Sequence, residues 1–121
     1  MSFGEAIQSV FSQYANFTGR ARRSEFWFFV LFSGIAGAAI GIIFSLILGE
    51  KIGTTLSSAW ELAVLVPTLA VTWRRLHDIG KSGAWYFIFL VPVVGAIILL
   101  VWVCKDSQPG DNRYGPNPKE F

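Results

Sequence analysis

The chain has 121 residues, with ten Lys and Arg against eight Asp and Glu, and 53% of it is hydrophobic. Residues 26–49, 52–73 and 84–104 together hold one of the 18 charges. That segregation excludes a water-soluble globule with polar helix faces and a disordered chain, and a single cysteine excludes a disulfide-built one. A net charge of +2, broken up by apolar runs of membrane length, draws no stripe that nucleic acid could follow.

In chain order, the first pattern is Phe3, Ile7, Val10, Phe11, Tyr14 and Phe17 at helical spacing, with Glu5, Ser and Gln between them. It predicts an amphipathic helix within residues 1–19, too short and too polar to span. Such a helix lies in the membrane interface or packs on the protein's own cytoplasmic loop. Residues 1–16 lack the basic start and apolar run of a cleaved signal peptide. Arg20, Arg22 and Arg23 follow, and then 24 uncharged residues lie between Glu25 and Glu50. About 20 helical residues cross a hydrocarbon core, so a transmembrane helix is predicted over 26–48.

The second run, 52–73, has a polar first half containing Thr54, Thr55, Ser57, Ser58 and Glu61. It is predicted to span, the alternative being a re-entrant half-helix over 60–73. The third, 84–104, is uncharged, with Trp85 and Tyr86 at one end and Trp102 near the other. Those aromatics match interfacial belts, so a third span is predicted there. Pro67 and Pro92 should free the carbonyls of Ala63 and Ile88 and kink their helices. Between the second and third runs, Gly80 reads as a left-handed helix cap and Ser82 as an N-cap, giving a short, defined turn. The remainder, 105–121, is rich in Pro and Gly and reads as an irregular polar tail turning at Pro109-Gly110 and Gly115-Pro116. Lys and Arg near the spans place the N-terminus and the second loop in the cytoplasm, and three spans then put the tail outside, although Lys105, Arg113 and Lys119 do not favour that side.

Several constellations could carry function. Ser33, Gly37, Gly41 and Ser45 stand four apart and form a close-packing face, for another helix of the chain or for a second copy. Arg20, Arg22, Arg23, Arg74, Arg75, His77, Asp78 and Lys81 converge on one leaflet, where guanidinium forks suit phosphate headgroups or an acidic partner. The plainer reading is topology-setting charge with local pairs, Arg74 to Asp78 and Arg22 to Glu25. His77 is the only histidine, so the sequence offers no metal set, and Cys104 stands alone. Glu61 is the one ionisable residue within a predicted span. Near the midplane it would be a proton or cation site. If Trp60 marks the interface, the carboxylate merely lies beside it.

Four stretches carry a resemblance: residues 14–27 (YANFTGRARRSEFW), 74–85 (RRLHDIGKSGAW), 91–95 (VPVVG) and 112–118 (NRYGPNP). Together they resemble the small bacterial inner-membrane family DUF805, a domain of unknown function. Ala84-Trp85 departs from it, since many members have two adjacent tryptophans there. The resemblance implies a multi-pass protein of the bacterial inner membrane, with no assigned reaction or cofactor. It also implies that the arginine, His77 and Asp78 positions match its motifs, as do Arg113 and Tyr114. Were tail and loop to meet, the tail would have to be cytoplasmic. The expected fold is all-α and integral to the membrane, with an N-terminal amphipathic helix, three transmembrane helices and a polar tail. The expected role is a non-enzymatic module that meets anionic lipid, a second copy or a partner membrane protein, with no cofactor. The alternative is a subunit of a small oligomeric transporter or channel using Glu61.

Overall fold

The computed structural model describes residues 2–118, so Met1 of the predicted first helix and Lys119 of the tail lie outside the described residues. The order of helices is α1 (Phe3–Ser12), α2 (Arg23–Leu48), α3 (Glu50–Asp78), a 3₁₀ helix (Gly83–Leu90) and α4 (Val94–Cys104). Among the described residues there is no strand, only an isolated antiparallel bridge between Asn112 and Gly115.

Helix α1 starts at a capping box, in which the Ser2 hydroxyl accepts from the Glu5 N–H and the Glu5 carboxylate accepts from the Ser2 N–H. It ends at Ser12, short of the predicted boundary, because Asn16 folds the chain into a turn by accepting from the Thr18 N–H and hydroxyl. Val10 and Ala6 are fully buried. Phe3 meets Phe28 and Phe32 edge to face, and Phe11 meets Phe29 and Phe32. The apolar stripe therefore packs on α2.

Helices α2 and α3 are antiparallel and joined by Gly49 alone, whose φ of 99° and ψ of 155° only glycine adopts readily. At 26 and 29 residues they are about 39 and 44 Å long, and both are long and apolar enough to cross a membrane. The small residues of α2 face α3. A Cβ on Gly37 would sit 3.1 Å from Trp60 Cδ1, Ser57 Oγ donates to the Gly37 carbonyl, and Trp60 Nε1 donates to the Ser33 carbonyl at 2.9 Å. Gly53 packs directly on Ser45 and on the Gly41 carbonyl. Trp60 is thus wedged between the two helices. It does not mark where α3 begins, and α3 runs unbroken from Glu50.

Pro67, fully buried inside α3, cannot donate to the Ala63 carbonyl, and the Tyr14 hydroxyl donates to that carbonyl instead. At its far end α3 closes as predicted on Gly80, with φ 81°. The Lys81 N–H reaches the Leu76 carbonyl and the Gly80 N–H reaches that of His77, a Schellman arrangement.

The segment 84–104 differs from expectation, since it is not one helix. Ser82 caps the 3₁₀ helix, the chain reverses over 91–93 with Val93 at φ 63°, and α4 returns. The reversal is tight because Gly95 lies against the Ile88 carbonyl, where any Cβ would collide with backbone. Arms of eight and eleven residues are each about 16 Å long, half a hydrocarbon thickness. Trp85 meets Trp102 edge to face, and Lys81 Nζ lies 4.7 Å over the Trp102 ring, so the hairpin begins and ends at one level. Pro92 does not kink a span; it sits at the apex of a hairpin. Consequently the tail emerges at the same end as the N-terminal arginines, and the expected placement of the termini on opposite sides is not met.

Candidate functional site

Antiparallel packing of α2 and α3 brings the positive N-terminus of one beside the negative C-terminus of the other. Glu25 stands in the first turn of α2 and Arg75 in the last turn of α3, each favourable to its own helix dipole. Around this junction the predicted basic residues divide into two groups.

Arg20, Arg74 and Arg75 are internal. Arg74 Nη1 donates to Glu25 Oε2 at 2.9 Å, Arg75 Nη1 to Asp78 Oδ2 at 2.8 Å, and Arg20 Nε to Asp78 Oδ1 at 2.9 Å. The five side chains involved are at most 4% exposed. The local pairs expected from sequence are replaced, because Glu25 of α2 takes Arg74 and leaves Asp78 to Arg75 and Arg20. Surplus donors go to backbone: Arg74 Nε to the Asn16 carbonyl and Arg75 Nε to that of Val103. Both Nη2 atoms of Arg74 and Arg75, and Ser24 Oγ, are buried without a hydrogen-bond partner among the described residues.

Arg20 also ties down the tail. Its guanidinium donates to the carbonyls of Gln108 at 2.7 Å, Gly110 at 2.8 Å and Gly115 at 3.3 Å. Ser107 Oγ donates to Asp78 Oδ2 at 2.6 Å, and the Gln108 N–H donates to the Asp78 carbonyl at 2.8 Å. Tyr114 stacks on His77 with centroids 3.9 Å apart and planes 1° from parallel, and Asn112 Nδ2 donates to the His77 carbonyl. His77 Nδ1 lies 2.9 Å from the Gly19 carbonyl; a carbonyl only accepts, so this nitrogen carries the proton. Tyr114 covers one face of the His77 ring, and Nδ1 is committed to the Gly19 carbonyl.

The other basic residues form a rim. Arg23 is exposed and donates to the Cys104 carbonyl at the end of α4, while Arg22 and Lys81 are half-buried. Lys105 and the exposed Arg113, which lies over its neighbour Tyr114, extend the rim. Glu25 as an internal partner, Ser107 and the tail carbonyls escaped the sequence reading. Only the Arg113 and Tyr114 motif hinted that the tail belongs here. Among the described residues no group of three or more His, Cys, Asp or Glu side chains is placed to hold a metal ion.

Glu61 stands elsewhere. It is about 18 Å along α3 from Gly49 and about 20 Å from Arg74, midway between the two ends, and it is exposed with no hydrogen-bond or ion-pair partner in the described structure. It lines a groove of about 1130 Å³ between α2 and α3, together with Gly34, Ala38, Ser58 and Leu65.

Comparison with known proteins follows the same outline. The family model described as a protein of unknown function (DUF805) matches residues 14–116. Inner membrane protein YhaI of Escherichia coli K12 is 48% identical over 111 residues, covering 92% of both chains. Inner membrane protein YhaH of the same strain is 38% identical over 112 residues, 91% of this chain and 93% of its own. Uncharacterized protein YiiR, again of that strain, is 40% identical over 77 residues, 63% of this chain and 50% of its own. No solved structure matches.

Proposed function

The chain belongs to the DUF805 family, and from that premise we propose that it is a non-enzymatic interaction module of the bacterial inner membrane. In this reading α2 and α3 cross the bilayer, and α1 rests in the interface. The 3₁₀–α4 hairpin enters and leaves by the leaflet where the arginines lie, which is the cytoplasmic one. Exposed Ile35, Ile42, Leu46, Ile47 and Leu62 then face lipid, as large apolar surfaces on a membrane protein should.

The observation that carries the proposal is the division of the basic residues. Arg20, Arg74 and Arg75 are consumed by internal partners. Arg22, Arg23 and Lys81 stay at the surface beside the apolar belt, where anionic headgroups would lie. Each basic residue near an anionic surface contributes about 1 kcal/mol, so the three amount to roughly 3 kcal/mol, on the order of a hundredfold in affinity. The test is native mass spectrometry of protein released from nanodiscs containing phosphatidylglycerol, comparing wild type with Arg22→Ala/Arg23→Ala/Lys81→Ala. Anionic lipid retained by the wild type and lost from the variant supports the reading. Equal retention by both refutes it.

A further inference from the structure

The 3₁₀–α4 hairpin covers only half of the face of α2 and α3 on which it sits. Val30 lines both the small cleft beneath the hairpin, shared with Phe26, Thr72 and Tyr86, and the long groove beyond it. The groove is therefore the uncovered continuation of one helix face, and none of the described residues fills it. It has three properties that together select a ligand. Gly34 and Ala38 line the α2 wall, while the α3 wall carries Val64 and Leu65 beside the hydroxyls of Thr54 and Ser58, with a second carboxylate, Glu50, at its far end. At about 1130 Å³ the groove is open and roomier than a typical closed small-molecule pocket, large enough to seat an organic molecule along its length. Midway along it stands the unpartnered Glu61 carboxylate, with the Trp60 indole next in sequence also lining the wall.

If α2 and α3 cross the bilayer as proposed above, Glu61 stands at mid-depth, where a carboxyl group is either protonated or paired with an opposite charge. The groove opens sideways along exposed apolar residues, including Leu46, 82% exposed, and Ile42, 61% exposed. A ligand arriving that way must itself partition into lipid, which favours an organic cation over an inorganic, strongly hydrated one. We propose that this groove is a binding site for a lipophilic organic cation, an amine or quaternary onium group on an apolar body. Its charge pairs with Glu61 and its body replaces lipid against Gly34, Ala38 and Leu65. Trp60 adds an aromatic surface of the kind that favours onium ions. The site is independent of the basic rim and lies some 20 Å along α3 from it.

The probe is tetraphenylphosphonium, and the measurement is equilibrium binding to the full chain in nanodiscs, with empty nanodiscs subtracted. Wild type should bind saturably, and Glu61→Gln at least about tenfold more weakly, the usual loss when one partner of a desolvated charge pair is neutralised. Glu61 is exposed and unpaired in the protein, so that variant keeps its fold. Ala38→Trp, which fills the groove and leaves the carboxylate intact, should weaken binding as well. Equal saturable binding by wild type and either variant overturns the proposal, as does wild-type uptake no greater than that of empty nanodiscs. A co-purifying membrane polypeptide held by wild type and lost from Glu61→Gln, without probe binding, also overturns it and assigns the groove to a partner helix.

Discussion

Replacing Asp78 by Asn changes almost no volume and removes one charge from the place where three chain segments meet. Asp78 Oδ1 accepts from Arg20, and Oδ2 accepts from both Arg75 and Ser107, with no side-chain exposure at Asp78. An amide has one acceptor atom, so its NH₂ must point at a guanidinium or at the Ser107 hydroxyl, and two arginines lose their counter-charge. Removing one partner of a buried pair costs about 3–5 kcal/mol. Arg20 keeps three tail carbonyls and the Asp78 carbonyl, which holds the cost toward the lower end, about 3 kcal/mol. In a chain of this size that corresponds to a fall in melting temperature on the order of 10 °C. Tryptophan-monitored thermal unfolding in nanodiscs measures it, with exposed Asp111→Asn as a control expected to stay near wild type. If Asp78→Asn melts within about 2 °C of wild type, the shared carboxylate does not hold the three segments together.

Two further outcomes test the path of the chain. Cys104 is exposed at the end of α4, so in sealed vesicles of one orientation a membrane-impermeant maleimide should reach it from the same side as Ser12→Cys and from the side opposite Glu50→Cys, each introduced cysteine being placed in a Cys104→Ser background; labelling with the Glu50 side would mean that 84–104 crosses completely. Tyr14→Phe removes the donor to the carbonyl that Pro67 leaves open and should cost about 1 kcal/mol in unfolding, but close to nothing in a Pro67→Ala background, where residue 67 regains an N–H; equal cost in both backgrounds would separate the tyrosine from the proline.

How legible these features were depends on what each residue pattern measures. Helix α2 could be read from uncharged length and α3 from apolar length despite Glu61, because being long and apolar enough to cross lipid is a property of a segment. Hydropathy says nothing of chain direction, however, and 84–104 is apolar whether it crosses or returns. The return rests on Pro92 at the apex and on Gly95, whose missing Cβ lets the arms close on the Ile88 carbonyl. Trp60 does not mark the start of a half-helix, since α3 begins at Glu50. Indoles concentrate at membrane interfaces, but this one spends its N–H on the Ser33 carbonyl between helices. The arginines were the least legible. Their partners are far along the chain, 49 residues away for Arg74 with Glu25 and 88 to 95 for Arg20 with the tail, and no local spacing encodes those meetings.

The cluster also answers a question that the apolar composition raises. Lipid offers helices no hydrophobic reason to associate, so segments are held by close packing and by polar groups that find partners only in one arrangement. Here the buried hydrophobic residues are few, and the largest fully buried side chains are Arg74 and Arg75. A buried ion pair contributes little net stability against an apolar replacement, yet it penalises every arrangement that leaves a charge unpaired. Arg20, Glu25, Arg74, Arg75 and Asp78 therefore specify the junction of α2, α3 and the tail more than they strengthen it. Three of the four stretches that carry the family resemblance meet in that junction, and the fourth, 91–95, makes the hairpin that returns the chain to it. A signature built this way marks a shared architecture. What a given member binds is then to be sought on the surfaces the architecture leaves open, the basic rim of Arg22, Arg23 and Lys81 and the groove around Glu61.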